Sequence, residues 1–405
     1  MARGQSEAAA RSARLSLSFS CLGHAYSHLF GPIFSVVVLA LEPAMGLSHG
    51  EAISLIVVGN VLYGVAAPAA GWLGDRWSTT RMVAVYFFGT GGGMLMTGLA
   101  ETPLQIALGL AVTGLFASIY HPVGIAWVVR NASARGMALG VNGFFGGVGP
   151  AVGLLSAGLL TEFFGWRSAF IVPGALVVAT GLAFVLLTTR RVIVELSEDR
   201  RSDPPASRDD AVRAFAVLGL TLVCSGLIYQ ATQAALPKMF SVRLDDLLSG
   251  SVFGVSLVVA VVYLLAGGLQ VIGGYLADRF ALKNVYVVCF LLQVPILVLA
   301  ANVGGGPLIA VAILMVAVNV GSLPAENGLV ARYAPSKWRG FVFGMKFILA
   351  FGIGGLGWLL EGKMYDLTGG FTWLFVILAS LAAVALAAAV LLPSERHRPV
   401  ATPAE

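Results

Sequence analysis

Long apolar runs separated by short polar breaks cover almost the whole chain. A membrane-spanning helix needs about 20 mostly apolar residues. Twelve segments have that character: residues 15–41, 51–72, 82–100, 104–129, 137–160, 168–188, 214–237, 250–273, 284–301, 307–331, 340–360 and 371–392. Most breaks are short and polar or carry Pro and Gly. The exception is 189–213, which is longer, charged, and contains Pro204 and Pro205. The pattern predicts an all-α membrane protein with twelve transmembrane helices in two pseudo-symmetric halves. Residues 1–188 form the first half, 189–213 a cytoplasmic linker, and 214–405 the second half.

Composition agrees. The chain is 58% hydrophobic and 11% charged, whereas a soluble domain carries roughly 25% charged residues. The apolar run from Leu15 is too long for a signal-peptide core and lacks a small-residue cleavage site, so it reads as a retained first helix. Cys21, Cys224 and Cys289 lie scattered within apolar runs and suggest neither a disulfide framework nor a metal-ligand cluster. GIGGLG at 352–357 sits in a predicted membrane helix with no preceding strand, and so does not read as a dinucleotide site. GWLLEGKM at 357–364 approaches a phosphate-binding loop but has Met364 where Ser or Thr is needed. No metal site, cofactor or enzymatic activity is expected, and any transport would be driven by a gradient.

Charge placement sets the orientation. With the N-terminus inside, 20 of the 25 Lys and Arg fall on inner segments, as the positive-inside rule requires. Arg167, Lys238, Arg243 and Lys363 fall outside, and Lys346 lies within a span. The net charge of +5 then reflects a cytoplasmic face beside anionic lipid and not a nucleic-acid partner. Both termini are expected in the cytoplasm, with the chain in a bacterial inner (plasma) membrane.

Two inner breaks repeat. GWLGDRWSTTR at 71–81 and GYLADRF at 274–280 share Gly-aromatic-Leu-small-Asp-Arg-aromatic at an offset of 203 residues. HPVGIAWVVRNASARG at 121–136 and LPAENGLVARYAPSKWRG at 323–340 align Pro122 with Pro324, Arg130 with Arg332, and Arg135-Gly136 with Arg339-Gly340. An internal duplication of six helices is a transporter architecture with its site near the bilayer midplane.

The repeated Asp-Arg loop, the twelve spans and the charged central linker resemble the major facilitator superfamily. The resemblance implies alternating access around a cavity lined by the first, fourth, seventh and tenth helices, with the second, fifth, eighth and eleventh beside them. It also implies that Asp75 holds the halves together on the inner side, with Arg130 and Arg135 as partners. Arg76, Arg81, Asp278 and Arg279 belong to the same gating set. Ser78-Thr79-Thr80 departs from the family pattern, where Gly and more basic residues are usual. GGVGPAVG at 146–153 resembles part of a signature of proton-driven antiporters, which would give Gly149 and Pro150 a conformational role; helix packing and bending is the alternative. Tyr120-His121-Pro122, followed by Arg130 and Arg135-Gly136, resembles fosmidomycin-resistance-type exporters over a short segment.

Ionisable groups within spans mark functional sites. His24 and His28 lie four residues apart on one face. His121, Tyr229, Gln230, Gln233, Glu326, Asn327 and Lys346 complete the candidate substrate- and proton-binding set. At 1.5 Å per residue, His24, His121, Glu326 and Lys346 each lie roughly 8–14 Å from the cytoplasmic helix end, and are expected to converge at one level. Lys346 would serve either as the cation for an anionic substrate or as the partner of Glu326. The histidines change charge near physiological pH, and a buried Glu326 could carry a coupling proton.

The expected function is secondary active transport of a small solute, proton-coupled, with a small organic anion as the leading substrate class. The alternatives are a proton-driven multidrug-type exporter of amphiphilic compounds and, in another class, a non-transporting membrane sensor or scaffold. The expected partners are the solute, a coupling proton and the bilayer, with the chain acting as a monomer.

Overall fold

Inside a bilayer no water satisfies backbone N–H and C=O groups, so each apolar segment closes its own hydrogen bonds as a helix. The structure, a computed structural model of the chain, describes residues 2–131, 135–194, 208–334 and 339–393. Every expected span is helical, and no strand occurs among the described residues. Ten helices are long and apolar enough to cross a membrane, from Ala9–Met45 to Thr372–Val390. The pair His49–Val65 and Ala67–Arg76, bent by 42°, adds an eleventh. Thr79–Gly98 is comparably long, but its five Gly and four Thr lower its hydropathy. Most of the expected linker, residues 195–207 with Arg200 and Arg201, lies outside the described residues.

Besides that bent pair, four spans are irregular. The first breaks at His28–Leu29, between Ala2–Ser27 and Phe30–Met45. The fourth carries a wide π turn, Tyr120–Gly124, at Pro122. The span Pro307–Tyr333 breaks at Ser322, two residues before Pro324. Pro removes a backbone donor and crowds the preceding turn, so the aligned prolines of the repeat interrupt the helix at matching places. The span Phe341–Thr368 contains a second π turn, Ile348–Ile353.

The repeated Asp-Arg loops also match in three dimensions. Arg76 lies over the Trp72 ring at 4.2 Å, and Arg279 over Tyr275 at 4.4 Å. The aromatic-to-Arg spacing of four places both side chains on one helix face, where cation and ring attract. At the opposite end, Arg167 donates to the Ala100 carbonyl at 3.0 Å. Arg243 donates to Ala300, Ala301 and Val303 carbonyls at 2.7, 2.9 and 3.1 Å. Two of the four basic residues that run against the charge asymmetry therefore bond carbonyls left open at helix C-termini.

Glycine brings helices into backbone contact, as is common in membrane bundles. A Cβ on Gly93 would lie 2.5 Å from the Thr113 nitrogen, whereas one on neighbouring Gly92 would meet nothing within 4 Å. Gly93→Ala is therefore expected to lower the melting temperature of the detergent-solubilised protein, at an overpacking cost of about 1–3 kcal/mol. Gly92→Ala should leave it unchanged or raise it. Equal effects of the two would show that this contact does not govern stability.

Candidate functional site

The helices Arg135–Phe164 and Val252–Arg279 pack face to face along a seam between the N-terminal and C-terminal spans. Near one end the seam is tight: Gly158 lies so close to Ser256 that a side chain there would collide with it. Toward the other end it widens. A Cβ on Gly147 would have its nearest neighbour 4.0 Å away, and one on Gly143 or Gly140 would have none within 4 Å. The bundle is thus closed at the end that carries Glu42 and splayed along this seam toward the end that carries Asp75.

A buried network spans the closed end. His49 Nδ1 lies 2.7 Å from Glu42 Oε1, and His49 Nε2 lies 2.9 Å from Glu361 Oε1. Lys238 pairs with the second oxygen of Glu42. Asp366 accepts from Ser48 Oγ at 2.6 Å and from the Gly50 backbone N–H at 3.0 Å. Glu162 accepts from Ser251 Oγ at 2.9 Å and from the Phe253 N–H at 2.6 Å, at the start of the facing helix. Each of these groups joins an N-terminal span to a C-terminal one. Glu361 is fully buried. Two carboxylates on one imidazole require a proton on both ring nitrogens, or one held by a carboxyl group. None of these acids was singled out in the sequence; Glu361 lay within the dismissed GWLLEGKM stretch.

Beneath this network lies a small cavity between the two sets of spans. His28, Phe30, Tyr63, Tyr229, Gln233 and Phe351 line it, together with Gln230 and Asn60. Gln233 donates to Tyr229 Oη at 3.2 Å, and Gln230 accepts from the Trp358 indole at 3.3 Å. Gly31 makes room for Gln233, whose Oε1 would lie 2.9 Å from a Cβ there. Neutral polar and aromatic side chains thus form the wall. A second small cavity adjoins Tyr229, Tyr263 and Asn319.

Three histidines meet beside the cavity. The ring centroids of His24, His28 and His121 lie 5.1–5.3 Å apart. One ring nitrogen from each lies within 4.8 Å of the other two. No metal site was expected from the sequence, yet these three rings have the spacing of a possible ligand group. Scanning for Cys clusters and short motifs overlooked a set whose third member is 93 residues away in sequence. Irregular backbone helps to assemble it: His28 occupies the break in the first span, and His121 the π turn. Glycines of the fifth span clamp against that break. Gly146 faces the His24 ring, Gly149 lies against the Ala25 carbonyl and His28 Cβ, and Gly153 lies against the Leu29 carbonyl. Gly149 and Pro150 therefore occupy a packing seam.

The expected convergence of His24, His121, Glu326 and Lys346 resolves into two groups. Lys346 Nζ lies 2.8 Å from Glu326 Oε1 and also bonds Asn327 Oδ1. Tyr286 donates to the other Glu326 oxygen at 3.1 Å. Glu326 is 2% exposed and Lys346 8%. Neither lines the central cavity. Phe347, next to Lys346, packs on His121 at 4.9 Å and is the link between the groups.

The inner gating contacts differ from the expectation. Asp75 is exposed and forms no ion pair among the described residues. Arg130 instead donates to the Ala126 carbonyl, and the side chain of Arg135 lies outside the described residues. Arg81 lies near the Trp77 ring at 5.7 Å, and Asp278 is exposed beside Arg279.

Breaking one partner of a buried ion pair costs about 3–5 kcal/mol, whereas replacing both by apolar residues is often neutral. His49→Ala should therefore lower thermal stability markedly, and His49→Leu combined with Glu361→Leu should recover most of the loss. An unchanged melting temperature in His49→Ala would show that the network contributes nothing.

The sequence profile of the Major Facilitator Superfamily matches residues 20–256 and 218–405. The puromycin resistance protein pur8 of Streptomyces alboniger is 29% identical over 205 residues, 49% of this chain and 37% of that protein. The probable L-galactonate transporter of Escherichia coli (strain K12) is 27% identical over 264 residues, 60% of this chain and 57% of that protein. The matched region spans less than two thirds of either relative. A bacterial homolog to the human lysosomal transporter Spinster, solved inward-facing and unoccupied, superposes with a TM-score of 0.70. That superposition covers 94% of this chain and 95% of the other at 16% identity, and shows the shared fold. With the profile covering nearly the whole chain, the protein belongs to the major facilitator superfamily and is an integral membrane protein.

Proposed function

We propose that the chain exports an amphiphilic small molecule by alternating access, as a twelve-span monomer whose halves, 1–188 and 214–405, rock about the central cavity. The observation that carries this reading is the cavity wall. Tyr63, Tyr229, Phe351, Gln230 and Gln233 offer aromatic faces and neutral hydrogen-bonding groups, a surface suited to a largely apolar solute with a few polar atoms. The resistance function in the name of the Streptomyces relative supports the export direction. The positive-inside distribution of Lys and Arg supports a bacterial inner membrane location with both termini cytoplasmic. The end closed by Glu42, His49 and Glu361 is then external, and the splayed seam opens to the cytoplasm.

Coupling falls to Glu326. Its carboxylate holds the Lys346 ammonium at 2.8 Å in a nearly dry site. A proton on Glu326 removes that attraction and frees Lys346, which shares a helix with Phe347 and the cavity residue Phe351. The tie between a proton and the helix carrying the cavity wall is the coupling element. A second reading, transport of a small organic anion, draws on the same release: the freed Lys346 adjoins the Phe347 ring that packs on His121.

Ligand-induced thermal stabilisation separates the two. A ligand at 100 times its Kd stabilises the folded state by about 2.7 kcal/mol. Puromycin, as the amphiphile probe, should raise the melting temperature of wild type and Lys346→Ala alike, and less so that of Gln233→Ala. Stabilisation by L-galactonate or other anions alone, lost in Lys346→Ala, would replace the amphiphile reading with the anion one. In proteoliposomes, Glu326→Gln should retain ligand binding but lose accumulation driven by a pH gradient. Undiminished gradient-driven accumulation would remove Glu326 from coupling.

A further inference from the structure

We propose that His24, His28 and His121 form a binding site for a divalent transition-metal ion in the wall of the central cavity. Imidazole suits Zn²⁺, Co²⁺, Ni²⁺ and Cu²⁺, and three His ligands with an open fourth position make a familiar zinc arrangement. The ligand nitrogens lie within 4.8 Å of one another. Tetrahedral bonds of about 2.1 Å place such nitrogens roughly 3.4 Å apart, so small ring rotations close the set.

Hydrogen bonding prepares the rings. His24 Nδ1 lies 2.8 Å from the Asn142 carbonyl, which can only accept. The Nδ1 therefore carries the proton, and Nε2 of the neutral ring is left with its lone pair. His121 Nδ1 lies 3.0 Å from Tyr63 Oη, a hydroxyl that anchors the ring and, when it accepts, leaves Nε2 with its lone pair. Metal-binding histidines characteristically anchor the second nitrogen on a carbonyl or other polar group. Among the described residues, His28 makes no side-chain hydrogen bond, and Nε2 of His24 and of His121 takes none. Each ring keeps a nitrogen with no hydrogen-bond partner among the described residues, and one cation can bond all three. Gly146, facing the His24 ring, leaves the room that the ring needs. His28 also lines the cavity, so the remaining coordination position is available to water or to an oxygen or nitrogen donor of the solute.

The test uses the purified full-length chain without an affinity tag, titrated with Co²⁺ and followed by its visible spectrum. One Co²⁺ per chain with the intense bands of a tetrahedral site is expected, displaced by Zn²⁺ and not by Mg²⁺. His28→Ala and His121→Ala should each weaken binding at least 100-fold. Tyr63→Phe, which removes only the anchor, should weaken it about 10–100-fold. Since the His28 side chain bonds nothing in the structure, His28→Ala should keep the metal-free melting temperature and remain informative even if His121→Ala does not fold. Absence of saturable Co²⁺ uptake by wild type overturns the proposal. So does uptake retained in both His variants, which would place the ion elsewhere, for instance at His49 with its two carboxylates. The readout does not depend on the transported solute, so failure of the puromycin panel leaves it intact.

Discussion

A charged group buried inside this bundle is costly unless it is paired, and its partner comes from another helix. Where the partners are found sets the shape of the protein. Glu361, fully buried, reaches His49, which reaches Glu42, which reaches Lys238. That chain of contacts crosses between the N-terminal and C-terminal spans twice and closes one end. Glu326, Lys346, Asn327 and Tyr286 solve the same problem within the C-terminal spans alone. Ser20, Tyr120 and Asn142 do so within the N-terminal ones, with bonds of 2.7–3.3 Å. One network therefore ties the two parts together, and the other two stiffen each part separately. Separate stiffening is the condition for rigid-body rocking.

Glycine supplies the complementary constraint. Where it faces another backbone, as at Gly93 against Thr113 and Gly149 against Ala25, helices lock at close range. Where it faces nothing, as at Gly140 and Gly143, the same residue type leaves a gap at the splayed end. The closed network and the widening seam describe a single state, sealed at the Glu42 end. At the opposite end Asp75 is exposed and forms no ion pair among the described residues.

The irregular turns connect packing to chemistry. A straight first span would keep His28 one turn beyond His24 on the same helix face. The break at His28–Leu29, held by the glycines of the fifth span, places it beside His121 on the π turn at Pro122. Wide turns of this kind cost regular hydrogen bonds and recur at functional sites. Here two such departures from ideal helix bring three rings from two helices to about 5 Å of one another.

Much of the architecture was legible in the chain. Apolar run length sets helix count and bounds because lipid forces each segment to satisfy its own backbone. The duplicated Asp-Arg loop pointed to a repeat, whereas the stacking of Arg76 on Trp72 and of Arg279 on Tyr275 emerged only from the structure. Tyr229, Gln230 and Gln233 could be picked out because polar residues in apolar runs are conspicuous, and they do line the cavity. The partners were not legible. Lys346 had two possible roles until Glu326 was found 2.8 Å away. Glu42, His49 and Glu361 lie at the ends of apolar runs, where charge is ordinary, and nothing local marks them as a buried cluster. His24 and His121 are 97 residues apart in sequence. By itself the sequence determined which segments form apolar helices and which polar residues lie within them, since both follow from local composition. Tertiary structure alone decided which of those residues meet, because in a low-dielectric interior pairing depends on distances of a few ångströms between helices remote in sequence.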